Sequence, residues 1–169
     1  MKKNLTLTGM MGVGKSTIGK AVSKHLSMDF IDIDKIIEKK LNLTVQKIFE
    51  KKGEPFFRKL EEKVTLEQIK KDNKVISLGG GAFMNIKIRN YVISNTKSFW
   101  LNLNTDLLVK RLGSSKRRPL LTDKNIKLTL EKIFNERKST YSLANYKIDC
   151  NNLNSNFIVK KIVELYERN

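Results

Sequence analysis

Gly9, Gly12, Gly14, Lys15 and Ser16 stand at spacings that suit one kind of chemistry, the holding of a nucleotide's phosphates. The run Gly9-Met10-Met11-Gly12-Val13-Gly14-Lys15-Ser16 has a glycine, four free positions, then Gly-Lys-Ser. Its glycines let the backbone turn tightly, so that successive N–H groups face phosphate oxygens. Lys15 brings a point positive charge to the outer phosphates, and the Ser16 hydroxyl suits a magnesium ion. An apolar run, Leu5 to Thr8, precedes the loop, and a helix is expected from Ser16 to Leu26. That helix adds its positive end to the same site.

A phosphate loop does not name the acceptor, so the remaining polar residues must. Asp32 and Asp34 close a short apolar run and share one face while the chain stays extended. If the chain turns helical after Ile33, they diverge. One could then support a magnesium shell through water and the other meet an acceptor hydroxyl; equally, Asp34 could only cap the next helix. Arg58 and Glu61 lie three apart in a helical stretch. They form either a surface ion pair or a guanidinium held ready for bidentate capture of a substrate carboxylate. Gly79-Gly80-Gly81 follows an apolar run; three glycines exceed what a turn needs and mark a close approach by a ligand or another backbone. Arg111, Arg117, Arg118 and Arg137 supply further positive charge. His25 matches no motif, and Cys150, the only cysteine, reads as a small buried apolar residue.

These residues need a frame. Apolar runs at Leu5 to Thr8, Phe30 to Ile33, Val75 to Leu78, Ser98 to Leu103 and Tyr146 to Cys150 alternate with helical stretches, which predicts a parallel sheet flanked by helices. Helical material is expected from about Lys35 to Lys71, broken near Gly53-Glu54-Pro55, with Phe57, Leu60 and Val64 forming a core stripe. Further helices are expected at Ile86 to Ile93, Asp106 to Leu112 and Ile126 to Leu143, with a last one carrying Ile158, Ile162 and Leu165 on one face. The basic, turn-rich segment from Gly113 to Pro119 reads as a mobile flap.

Composition narrows the class. The chain has 169 residues, 40% hydrophobic and 30% charged, which fits one soluble domain with one core. No stretch is apolar enough for a membrane span, no leader is visible, and a single cysteine suits a cytoplasmic protein. The net charge of +17 admits nucleic-acid binding, but the lysines are scattered rather than gathered into a recognition module. Solvated helix faces and steering of anionic substrates are the favoured reading.

As an ordered set, Gly9 to Thr17, Asp32-Ile33-Asp34, Gly53-Glu54 with Phe57-Arg58 and Glu61, Gly79 to Ala82, Arg118-Pro119-Leu120-Leu121, and Arg137 followed by Tyr141 resemble the shikimate kinase family. The resemblance implies an α/β P-loop fold of the nucleoside-monophosphate-kinase type, a three-layer domain with five parallel strands. Within it, about 33–62 would bind substrate and about 112–124 would form a lid. It implies ATP-dependent phosphorylation of the 3-hydroxyl of shikimate, with ATP and Mg²⁺, in a cytoplasmic monomer that needs neither nucleic acid nor membrane. Gly12, Val13, Gly14, Lys15, Ser16, Thr17 and Arg118 would bind ATP, and Ser16 would ligate Mg²⁺ with Asp32 behind it. Asp34 would orient the acceptor hydroxyl, Arg58 and Arg137 would grip the carboxylate, and Gly80 would meet a ring hydroxyl. Lys15 and Arg118 would stabilise the transferring phosphoryl group. Two rivals remain at this stage, a gluconate-kinase-like enzyme and a P-loop protein of nucleic acid. Lys116 and Arg117 leave open which lid arginine meets ATP, and the asparagine-rich Asn151 to Asn156 leaves the adenine contacts unassigned.

Overall fold

The expected alternation of strand and helix is present, in a computed structural model that describes residues 3–112 and 125–168. The strands are β1 (Leu5–Thr8), β2 (Asp29–Asp32), β3 (Lys74–Ser77), β4 (Lys97–Asn102) and β5 (Tyr146–Asp149). The helices are α1 (Lys15–Leu26), α2 (Ile33–Leu41), α3 (Val45–Ile69), α4 (Ile86–Asn95), α5 (Thr105–Leu112), α6 (Ile126–Tyr141) and α7 (Ser155–Glu167), with a 3₁₀ turn at Ala82–Met84. Arg117, Arg118 and the expected lid beyond Leu112 lie outside the described residues.

All strand pairs are parallel, in the order β2-β3-β1-β4-β5. β1 is central and buries all four of its side chains, as a strand covered on both faces must. The chain runs from β1 to one edge, returns through β3 and then crosses to β4. That reversal beside β1 opens a crevice past the strands' carboxyl ends. Leu7 pairs with Ser77, and Ser77 with Asp32, so β1, β2 and β3 end level. The Leu78 N–H then donates to the Leu7 carbonyl at 3.0 Å, which extends the ladder to the edge of the triple glycine. The phosphate loop, the acidic pair and the glycines therefore leave the sheet side by side.

The opposite end of the sheet is closed by asparagines. Asn4 donates to the carbonyls of Ile69 (2.8 Å) and Lys71 (2.5 Å) and accepts from the Lys74 N–H, tying β1 to the turn before β3. Asn145 accepts from the N–H and hydroxyl of Ser98 at 2.9 and 2.7 Å. A continuous apolar core joins both faces, with Leu5, Leu7, Phe83, Phe99 and Tyr141 fully buried. Each such side chain contributes about 1.5–3 kcal/mol.

Most element ends fall within a residue or two of expectation, and two departures bear on the acceptor side. β2 stops at Asp32 and Ile33 is already helical. The helical stretch before Gly53 is also divided at Asn42, which adopts the left-handed conformation (φ 51°), while the Thr44 side chain caps α3. Gly53 (φ 79°, ψ 163°) makes the expected break inside α3, and Pro55 then falls in the first turn of the downstream half, where its missing N–H costs nothing.

Candidate active site

Helices α2, α3, α4, α6 and α7 each begin under an Asp, Thr or Asn side chain that accepts a first-turn N–H. α1 begins under Gly14, with no side-chain cap and no acidic residue in its first turn. An N-terminus without a side-chain cap is what a phosphate site requires. The Lys15 ammonium, nearly buried, donates to the carbonyls of Gly9 at 2.8 Å and Met10 at 2.9 Å, which holds it across the loop. Thr17 is exposed in the same turn. Val13 is buried, and its carbonyl accepts from the Arg111 guanidinium at 3.2 Å. In the sequence Arg111 reads only as further positive charge, since no local pattern announces a contact made across 98 residues.

The Ser16 hydroxyl donates to Asp32 at 2.5 Å, and Asp32 also accepts the Lys35 N–H at 3.3 Å. Asp32 is therefore the helix cap, which corrects the expectation that Asp34 could play that part. A hydroxyl and a carboxylate this close are hard oxygen donors that fit Mg²⁺, whose other ligands would be water and phosphate.

Two residues on from Asp32, Asp34 sits in the first turn of α2 with its carboxylate toward Gly79. A Cβ at Gly79 would meet the Glu61 carboxylate and lie 2.9 Å from Asp34 Oδ1; one at Gly81 would lie 2.6 Å from Arg58 Nη1. A side chain at either position would have to displace these carboxylate and guanidinium groups, which lie directly on the backbone. Arg58 donates to Glu61 at 2.8 Å and, through Nε and Nη2, to Glu54 at 3.0 Å, and it lies over the rings of Phe49 and Phe57. Glu61 is 2% exposed, so the alternative of a surface ion pair is overturned. Burial pushes the Glu61 carboxyl above the usual range, against the pull of Arg58 and Arg137, and Asp34 adds to the rise. Burial also opposes the Arg58 charge, but Glu61 and Glu54 outweigh it and hold Arg58 firmly protonated.

Arg137, on α6, donates to the Gly80 carbonyl at 3.1 Å, beside the Tyr141 hydroxyl at 2.5 Å. A Cβ at Gly80 would lie 3.4 Å from the Met11 N, so the triple glycine packs against the phosphate loop itself. Asp34, Arg58 and Arg137 thus gather on the triple glycine, which itself lies against the loop that carries Lys15 and Ser16. Arg118 lies outside the described residues.

The family model described as shikimate kinase matches residues 11–167. The chain belongs to the shikimate kinase family. The shikimate kinase of Bacillus subtilis is 42% identical, over 96% of this chain and 88% of its own length. That of a Sulfurihydrogenibium species is 38% identical over 98% of this chain and 99% of its own. Among solved structures, shikimate kinase from Acinetobacter baumannii in complex with shikimate superposes with a TM-score of 0.94 at 32% identity, covering 98% of this chain and 93% of that one. A gluconokinase from Sinorhizobium meliloti reaches a TM-score of only 0.55 at 12% identity, so it shares the fold alone.

Proposed function

We propose that Asp34, Arg58, Gly80 and Arg137 seat shikimate while the phosphate loop presents the γ-phosphoryl group of ATP to it. The reaction is ATP-dependent phosphorylation of the 3-hydroxyl of shikimate to shikimate 3-phosphate, a step toward chorismate and the aromatic amino acids. The observation that carries the residue assignment is the convergence of Glu61, Asp34 and Arg58 on Gly79 and Gly81, directly beside the phosphate loop. Arg58, preorganised by two carboxylates, and Arg137 grip the substrate carboxylate in fork geometry. The Gly80 N–H meets a ring hydroxyl, and Asp34 orients the hydroxyl that attacks.

Phosphoryl transfer passes through a loose transition state, so positioning and electrostatics carry most of the catalysis. Lys15, once it exchanges the loop carbonyls for phosphate oxygens, stabilises the charge that develops there, a task that Arg118 shares in this reading. Bound Mg²⁺, held by Ser16 and through water by Asp32, would neutralise phosphate charge. The enzyme is proposed to act as a cytoplasmic monomer on small molecules, independently of nucleic acid.

Coupled ADP release tests the reading. Shikimate should support turnover and gluconate should not; the reverse would overturn it. Asp34→Asn should lower kcat at least about a hundredfold, as loss of an orienting contact in a near-attack geometry does, while ATP still binds. Wild-type kinetics in that variant would remove Asp34 from its role.

A further inference from the structure

Tyr141 belongs to the motif that carries Arg137, yet none of the roles above uses it. Its ring is fully buried and stacks on Trp100 of β4, with centroids 5.9 Å apart. Its hydroxyl lies where the two glycine loops meet. It donates to the Gly80 carbonyl at 2.5 Å and lies 3.9 Å from the sulfur of Met10, within the phosphate loop. We propose that Tyr141 is a positioning residue, which fixes the backbone of the acceptor loop in direction and in distance from the phosphate loop. The inference rests on the shikimate kinase reading and deepens it.

Direction follows from peptide geometry. In a trans peptide the C=O and the next residue's N–H point opposite ways. The Gly79 carbonyl accepts from the Ala82 N–H at 3.0 Å, which aims the Gly80 N–H. The Gly80 carbonyl accepts from Tyr141 and Arg137, which holds the following plane, so that the Gly80 N–H stands at a residue fixed from both sides. Three glycines have no side chains to hold these two peptide planes, so the planes depend on their hydrogen bonds. Arg137 cannot hold the second plane alone without compromise, because it is also assigned to the substrate carboxylate. Tyr141, one turn further along α6, takes over the carbonyl. Distance follows from the ring. Wedged against Trp100, it cannot recede, and the hydroxyl sets how near Gly80 lies to Met10 and Met11. Burial raises the Tyr141 pKa against the pull of Arg137, so the hydroxyl stays a donor throughout the working range.

Tyr141→Phe keeps the ring and its stack and removes only the hydroxyl. The expected result is a five- to tenfold loss in kcat/KM for shikimate, about the worth of one buried hydrogen bond, with the KM for ATP within about twofold of wild type. A merely structural role would lower the melting temperature without separating the two substrates. Unchanged shikimate kinetics, or equal losses toward both substrates, would overturn the proposal. Should the variant melt below the assay temperature, calorimetric titration with shikimate in the cold reads the same contrast against titration with ATP. Failure of the wild-type enzyme to phosphorylate shikimate would instead defeat the functional reading, so the two failures are distinguishable.

Discussion

Arg58 shows how a single residue's surroundings decide its use. Its guanidinium is bound to a carboxylate that is 2% exposed, and removing two charges from water costs more than their attraction commonly returns. The sign of the Glu61 shift agrees. A carboxyl whose folded pKa is raised contributes stability that is complete below the unfolded value and is lost as pH rises through the folded one. At neutral pH the buried Glu61 charge is thus costly in itself although it steadies the Arg58 cation, and what the pair supplies is the geometry it gives Arg58. Arg58→Ala is a poor test, since it would strand Glu61 without a cation. Arg58→Lys keeps the charge and gives up the planar fork. It should raise the KM for shikimate about tenfold or more and leave that for ATP within twofold, as steady-state kinetics would record. Equal effects on both would mean that Arg58 supports the crevice as a whole and does not grip the acceptor.

At the scale of elements, the corner between α2 and α3 holds the acceptor side in place. Glu38, near the end of α2, accepts the Val45 N–H at 3.0 Å at the start of α3 and pairs with Lys35 at 2.7 Å. Burial pushes this carboxyl up, but the bonds from Lys35 and Val45 outweigh it, and the pKa lies below the ordinary range. Glu38→Ala should cost about 1–2 kcal/mol at neutral pH by denaturant unfolding, as loss of a capping bond does. A depressed carboxyl contributes stability above its unfolded pKa and loses it as pH falls through the folded value, so the difference from wild type should shrink toward zero in strong acid. A pH-independent difference would assign Glu38 a packing role only. This corner was also the least legible part of the sequence. The five strands were readable from short apolar runs, and the kink at Gly53 from Gly-Glu-Pro, because each is a local preference. The break at Asn42 was not, since Asn42 is an unremarkable residue until Glu38 reaches across to Val45. The Arg58–Glu61 spacing was visible, but its burial depends on Gly79 and Gly81, some 20 residues away in sequence. Arg111 on Val13 and Tyr141 on Gly80 are likewise products of tertiary packing.

For the whole molecule, the open question is what a net charge of +17 does in an enzyme of small molecules. Both proposed substrates are anions, and a strongly positive net charge raises their encounter rate without needing a dedicated patch. The two schemes differ in their response to salt. Binding of a polynucleotide releases condensed counterions and falls steeply, by orders of magnitude, over a modest rise in salt. Steering of a small anion acts through a screened field, with a Debye length of about 10 Å at 0.1 M, and so should weaken only a few-fold. We expect kcat/KM for shikimate to fall about two- to fivefold between low salt and roughly 0.3 M KCl, with kcat nearly constant, because screening acts on approach and not on substrates already bound. Added polynucleotide should leave turnover unstimulated. A kcat/KM indifferent to salt would deny the charge any part in substrate capture, and stimulation by polynucleotide would revive the nucleic-acid reading that the scattered lysines argue against.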